Sequence, residues 1–343
     1  MVLNMVFLKI RNLGSTLVIA LALGITSCSE SQQTTKIATT ASPSSAEDSK
    51  PKVVATTSVL CDITRSIAKE SVDLSCLMPA GVDPHVYEAK PSDRKAIEQA
   101  SLILYSGYNF EPHLIQLIKA TQNNAAKVAV SEIAVSSPLT GEEHEHNHET
   151  EAKTEPDHSE FDPHVWHNAQ NGIRMIEVIR DRLGKLSPEL AAEYTSNAET
   201  MTKELTQLDL WIKSQINTIP ANQRKLVTTH AAMNYYATAY GISLQGALSS
   251  LSTEEKPTAG RVKELVQQIE QAGVPTIFPE ATINPKLIET VAREANVKVS
   301  DQKLFVDGLG EKGTEGDTYQ KMLVANTKAI VEGLGGNYTP FQE

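Results

Sequence analysis

Residues 187–219, SPELAAEYTSNAETMTKELTQLDLWIKSQINTI, decide the architecture. Ser187-Pro188-Glu189 is a helix-start signal. The hydroxyl can cap a free amide, and the proline loses nothing in a first turn where its amide would have no partner. No glycine or further proline interrupts the run until Pro220. The spacing predicts one helix over 187–219, longer than an ordinary globular helix.

Working outward, short β-branched and apolar runs alternate with helical patterns on both sides. Before the long helix, strands are expected over 53–57, 72–78, 102–105 and 128–130. Helices are expected over 58–69, 94–100, 112–121 and 172–183. After it come strands over 225–229, 245–248, 276–278 and 303–306, with helices over 232–239, 258–272, 285–295 and 319–334. Such alternation builds parallel sheets covered on both faces. The expected fold class is therefore α/β: two (β/α) lobes with parallel sheets, joined by one long rigid backbone helix. The first lobe is placed over 52–186 and the second over 220–343. With 343 residues, 40% of them hydrophobic, the chain can bury two cores.

The first 27 residues read as a targeting segment. Lys9 and Arg11 form its positive flank, and 16–25 is an apolar stretch too short to span a bilayer. Small residues then meet Cys28, the order of a bacterial lipobox, so Cys28 is the expected lipidation site; the competing reading is an ordinary secretory signal. Residues 28–51, rich in Ser, Thr and Ala, read as a flexible tether. Cys61 and Cys76 remain as an even pair in an oxidising compartment. They form either a disulfide or two buried thiols.

Net charge is −11, and loss of Lys9 and Arg11 with the leader takes it to −13. An acidic chain without a basic stripe is not a nucleic-acid binder. Between 141 and 162 the composition turns to GEEHEHNHETEAKTEPDHSEFD, where acids alternate with His144, His146, His148 and His158. This reads as a surface loop whose histidines could gather metal as an auxiliary site, or as a solvated acidic loop with no such role.

Four residues carry the chemistry: His85 in DPHVYEAKPSD, His164 in DPHVWHN, His230 in VTTHAAMNYYATAYG and Asp307 in FVDGLGEKG. Singly, a histidine after a strand is an ordinary loop residue, and an aspartate before glycine an ordinary turn residue. Together, three imidazoles and a carboxylate at the carboxyl ends of strands could enclose one divalent cation completely. A closed site suits a carrier. A zinc hydrolase would need an open position, and a surface adhesin would need exposed features the sequence does not offer. Glu280, after the strand at 276–278, is placed to hold a ligand histidine by its second ring nitrogen. His113, on a helix, is not expected to be a ligand.

The strings TTSVLCDI, GVDPHVYEAKPSD, LYSGYNFEPHL, DPHVWHNAQN, VTTHAAMNYYATAYG, PTIFPEATINPK and FVDGLG occur in this order from Val53 onward. In them the chain resembles the solute-binding lipoproteins of bacterial zinc and manganese ABC importers, the group with a helical backbone between its lobes. The resemblance implies metal bound in the cleft by His85, His164, His230 and Asp307, and not by His167. It also implies no enzymatic activity, ABC permease and ATPase subunits as partners, and an extracytoplasmic, lipid-anchored monomer. The nitrogen-rich ligand set and the His-rich loop favour Zn2+, with Mn2+ as the alternative. Against zinc, LYSGYNFE looks as much like the manganese members, and Ala231 follows His230 where an aspartate is common. Capture is expected to weaken as pH falls below about 6, since imidazoles must be neutral to bind.

Overall fold

Val53, Val54 and Ala55 are buried to the last few square ångströms, so the run they form can only be a central strand covered on both faces. The computed structural model describes residues 50–141, 161–254 and 256–342. The leader, Cys28, the tether up to residue 49 and the loop histidines His144, His146, His148 and His158 lie outside the described residues.

The first lobe comprises β1 (Lys52–Ala55), α1 (Ser58–Ala68), β2 (Asp73–Cys76), α2 (Pro91–Gln99), β3 (Leu102–Tyr105), α3 (Pro112–Ala120), β4 (Ala126–Ala129) and a short α4 (Val130–Ala134). Its four strands are parallel, in the order β2-β1-β3-β4. Thr57 starts α1 by accepting the Leu60 amide at 3.3 Å. Cys61 on α1 and Cys76 on β2 are joined as a disulfide, with Cα atoms 5.6 Å apart. The strand expected at 128–130 starts earlier and stops before Val130, because the Ser131 amide turns to Ser106 O and α4 begins.

α5 (Ala169–Leu186) leads to the long helix. Pro188–Leu190 form a 3-10 turn, and α6 (Ala191–Ile216) runs for 26 residues, shorter at both ends than the 187–219 span. Tyr194, Ala198, Met201, Leu205, Leu208, Ile212 and Ile216 are buried on α6. Three or four residues apart, they make one stripe. It packs on α5, α1 and α10 (Tyr319–Gly333), the last helix of the chain. One apolar core consequently runs from Val53 through this stripe to Leu334. The lobes thus share packed side chains along the helix instead of hanging from a flexible linker.

The second lobe comprises β5 (Lys225–His230), α7 (Asn234–Tyr240), β6 (Ser243–Ser249), α8 (Ala259–Ala272), β7 (Thr276–Ile277), α9 (Lys286–Glu294), β8 (Lys298–Val299) and α10. β5 pairs with β6 and β7 with β8, all parallel. The Phe278 amide donates to Val227 O at 3.1 Å, setting β7 beside β5. The lateral order β6-β5-β7-β8 therefore repeats that of the first lobe, although the sequence shows no repeat. In each, the chain reverses direction between the first and third strands, where open α/β sheets bind ligands.

One expected strand is corrected. Over 303–306 only an isolated bridge forms, Leu304 with Glu280, and β8 lies just before it. The ladder uses Leu304 N and O and would next need Val306 O, which instead meets His167 Nε2 at 2.8 Å. Asn326 of α10 closes the other side. Its side chain accepts the Phe305 amide and donates to Phe305 O, both at 2.8 Å, occupying the groups a neighbouring strand would need.

Candidate metal centre

Two Asp-Pro-His triplets build half of the site. In each, the aspartate side chain accepts the amide of the histidine two residues on: Asp83 Oδ1 from His85 at 3.0 Å, and Asp162 Oδ1 from His164 at 2.9 Å. This local turn fixes the backbone from which the imidazole projects. His85 lies in the loop beyond β2, and His164 immediately before the 3-10 turn leading to α5. His230 is the last residue of β5, and Asp307 lies three residues past the Leu304 bridge.

The four side chains converge. Asp307 Oδ1 stands 3.1 Å from His230 Nε2, 3.3 Å from His164 Nε2 and 3.5 Å from His85 Nε2. His164 Nε2 and His230 Nε2 are 3.4 Å apart, and all four ligand atoms lie within 4.8 Å of one another. Four ligands at about 2.0 Å around a tetrahedral cation would be spaced about 3.3 Å apart. His85 is 3% exposed, Asp307 1%, and His164 and His230 are fully buried. Asp307 Oδ1 and His85 Nε2 have no hydrogen-bond partner, a costly arrangement for buried polar atoms unless a cation satisfies them. Phe110 packs edge-on against His85 and His164, with ring centroids 5.0 and 5.4 Å away, and Trp166 lies 5.5 Å from His164. These rings exclude water from the cluster.

Outer groups hold the ligands in place. His230 Nδ1 meets Glu280 Oε2 at 2.6 Å, while Glu280 Oε1 accepts the amides of Thr229 and His230. His164 Nδ1 meets Asp162 Oδ1 at 2.8 Å, and Asn234 of α7 donates to Asp162 Oδ2 at 3.0 Å. Thr282 donates to Asp307 Oδ2 at 3.0 Å, leaving Oδ1 to face the imidazoles. Burial works against charge on every imidazole. It prevails at His85 and lowers its pKa. At His164 it is outweighed by the hydrogen bond to Asp162 and the nearby Asp307 carboxylate, and at His230 by the charges of Glu280 and Asp307, so both are raised. Burial would raise Asp307, but the charge of His230 and its contacts with all three imidazoles hold it well below the usual carboxylate range. Imidazoles backed by carboxylates in this way are basic and pre-aimed, as cation ligands need to be.

All four candidate ligands meet at one point, and Glu280 stands behind His230, on its outer nitrogen. His167 is buried nearby but turns Nε2 to Val306 O at 2.8 Å, and burial pushes it down to about 4. His113 is exposed on α3. Sequence reasoning missed Asp162, Thr282 and Phe110. The repeated Asp-Pro-His was the available signal for Asp162; nothing local marks the other two. Ala231 offers His230 no side-chain partner, and Glu280 occupies the outer nitrogen of that ring.

Residues 53–333 match the family described as zinc-uptake complex component A, periplasmic. The chain belongs to this family. It is 33% identical over 296 residues to the metal ABC transporter substrate-binding lipoprotein SsaB of Streptococcus sanguinis, covering 84% of this chain and 91% of the relative. It is 34% identical over 296 residues to the manganese ABC transporter substrate-binding lipoprotein PsaA of Streptococcus mitis, with the same coverage. The fold superposes on the periplasmic zinc-binding protein TroA from Treponema pallidum with a TM-score of 0.75 at 32% identity, covering 83% of this chain and 99% of that one. As a member of the family, the chain is an extracytoplasmic substrate-binding lipoprotein of a metal ABC transporter, working with permease and ATPase partners, and is not an enzyme. Among the described residues no helix is long and apolar enough to cross a membrane.

Proposed function

We propose that this protein captures Zn2+ between its lobes with His85, His164, His230 and Asp307, and releases it to the membrane permease. The observation that carries the reading is the set of three imidazole nitrogens 3.1–3.5 Å from Asp307 Oδ1. A set of three nitrogens and one oxygen favours zinc, which also stands above manganese in general affinity. Thr282 supports the same assignment. By occupying Asp307 Oδ2 it favours one-oxygen ligation, whereas manganese prefers a richer oxygen shell. Mn2+ is the second reading, favoured by the manganese relative.

In this reading the first lobe, 52–186, supplies His85 and His164, and the second, 220–343, supplies His230 and Asp307. The backbone helix between them limits opening to a modest displacement, since its apolar stripe is shared by both lobes. Cys28 carries the lipid. The test is metal analysis of protein purified without added metal, followed by Zn2+–Mn2+ competition. Preferential retention of manganese would transfer the assignment to that metal.

A further inference from the structure

The three imidazoles are not held alike. His164 and His230 each have a carboxylate on Nδ1, Asp162 at 2.8 Å and Glu280 at 2.6 Å. Among the described residues His85 meets a carboxylate only through Nε2, at Asp307, so its ring has no outer clamp. Its placement depends on its backbone, whose amide is held by Asp83 Oδ1 at 3.0 Å. The other oxygen of Asp83 is also engaged: Oδ2 accepts the Thr253 hydroxyl at 2.6 Å. Thr253 lies 170 residues further on, in the loop after β6 of the second lobe. The same His85 loop touches that lobe again where the Gly81 amide donates to Leu309 O at 3.2 Å, two residues past Asp307.

We propose that Thr253 is a positioning residue for His85, acting through Asp83 as a latch between the lobes that sets the rate of metal release. A hydroxyl-to-carboxylate bond of this length belongs to the stronger class of hydrogen bonds. It is also short-ranged, so a separation of the two loops by an ångström or two abolishes it. Once it is lost, Asp83 is free to turn, the His85 amide loses its acceptor, and the unclamped imidazole is the first ligand to leave. His164 and His230 stay aimed by Asp162 and Glu280. Release thereby begins from the first lobe, and slight opening is enough to start it. This inference rests on the metal-capture reading above.

The experiment loads the full chain with Zn2+, mixes it with excess chelator and follows release by stopped flow. Thr253→Val keeps the shape of the side chain and removes the hydroxyl; release should quicken about tenfold, the kinetic weight of one hydrogen bond to a charged group. Asp83→Ala should release at least as fast. Thr253→Ser retains the hydroxyl and should stay near the wild-type rate, while Asp83→Asn, which keeps one acceptor oxygen but loses the charge, should fall between wild type and Asp83→Ala. The Zn2+ association rate of Thr253→Val should stay within about twofold of wild type, a split between capture and release that a general loosening of the fold would not give. A Thr253→Val rate within about twofold of wild type, or a Thr253→Ser rate as fast as that of Thr253→Val, overturns the latch. Failure of the wild-type chain to take up stoichiometric Zn2+ would instead remove the zinc-capture reading.

Discussion

Asp162 holds His164 twice through one oxygen: Oδ1 accepts the histidine's own amide at 2.9 Å and meets its ring Nδ1 at 2.8 Å. Backbone and imidazole are thus set by the same atom. Removing such an outer carboxylate typically costs 10–100-fold in metal affinity. Asp162→Ala should lose affinity within about that range with the stoichiometry retained, whereas Asp162→Asn, which keeps an acceptor oxygen, should lose less. Isothermal titration with Zn2+ decides; equal affinity in Asp162→Ala and wild type would reduce this contact to a backbone turn.

His230→Ala should abolish tight Zn2+ binding and leave the lobes folded. The imidazole is one of the three facing Asp307, and its removal opens the site on the second-lobe side. Circular dichroism should be unchanged while the titration is flat. Wild-type affinity in this variant would take His230 out of the ligand set.

Gly172 on α5 lies against Tyr319 of α10, whose hydroxyl donates to Trp166 O at 2.6 Å. A methyl group at 172 would collide with that hydroxyl and stand 2.8 Å from Tyr319 Cε1 and Cζ. Overpacking of this kind costs about 1–3 kcal/mol, against a helix-propensity gain for alanine of up to ~1 kcal/mol. Gly172→Ala should therefore lower the melting temperature. An unchanged or higher value would mean that α10 yields without strain.

Glu111 is buried beside β3. Its Oε1 accepts Thr56 Oγ1 at 2.8 Å and the Ser106 amide at 2.7 Å, while Oε2 has no partner. Burial pushes its pKa up to about 7 from an ordinary 4.5. The folded state then holds a proton that the unfolded chain has shed. The resulting stability is complete below about 4.5 and is lost as pH rises through about 7. Glu111→Gln mimics the protonated form and should remove this loss. Relative to wild type, it should gain up to roughly 3 kcal/mol between pH 4.5 and pH 8. Urea melts of metal-free protein across that range test it; parallel stability curves would show that Glu111 does not titrate there.

Much of the architecture was legible because it rests on local periodicity. The buried stripe of α6 follows from residues three and four apart, and β3 at Leu102–Tyr105 from a short apolar run. The expected strand at 303–306 was not, because the group that takes the Val306 carbonyl, His167, sits 139 residues away on another element. The repeated sheet order was hidden for a related reason. A parallel sheet records which strands lie side by side, and strand neighbours leave no periodic trace in the chain.

By itself the sequence determined the candidate ligand types, their local Asp-Pro-His and strand-end settings, and the alternation of elements that makes an α/β chain. Those depend on neighbours within a few residues and on side-chain chemistry. Only the tertiary structure decided that Asp307 Oδ1 sits within 3.5 Å of three imidazoles, that Asp162 and Glu280 clamp two of them, and that His85 is held from the far lobe through Asp83 and Thr253. Hydrogen bonds depend on ångström-scale positions, and positions across 170 residues are set by how the shared core packs, which no local pattern encodes.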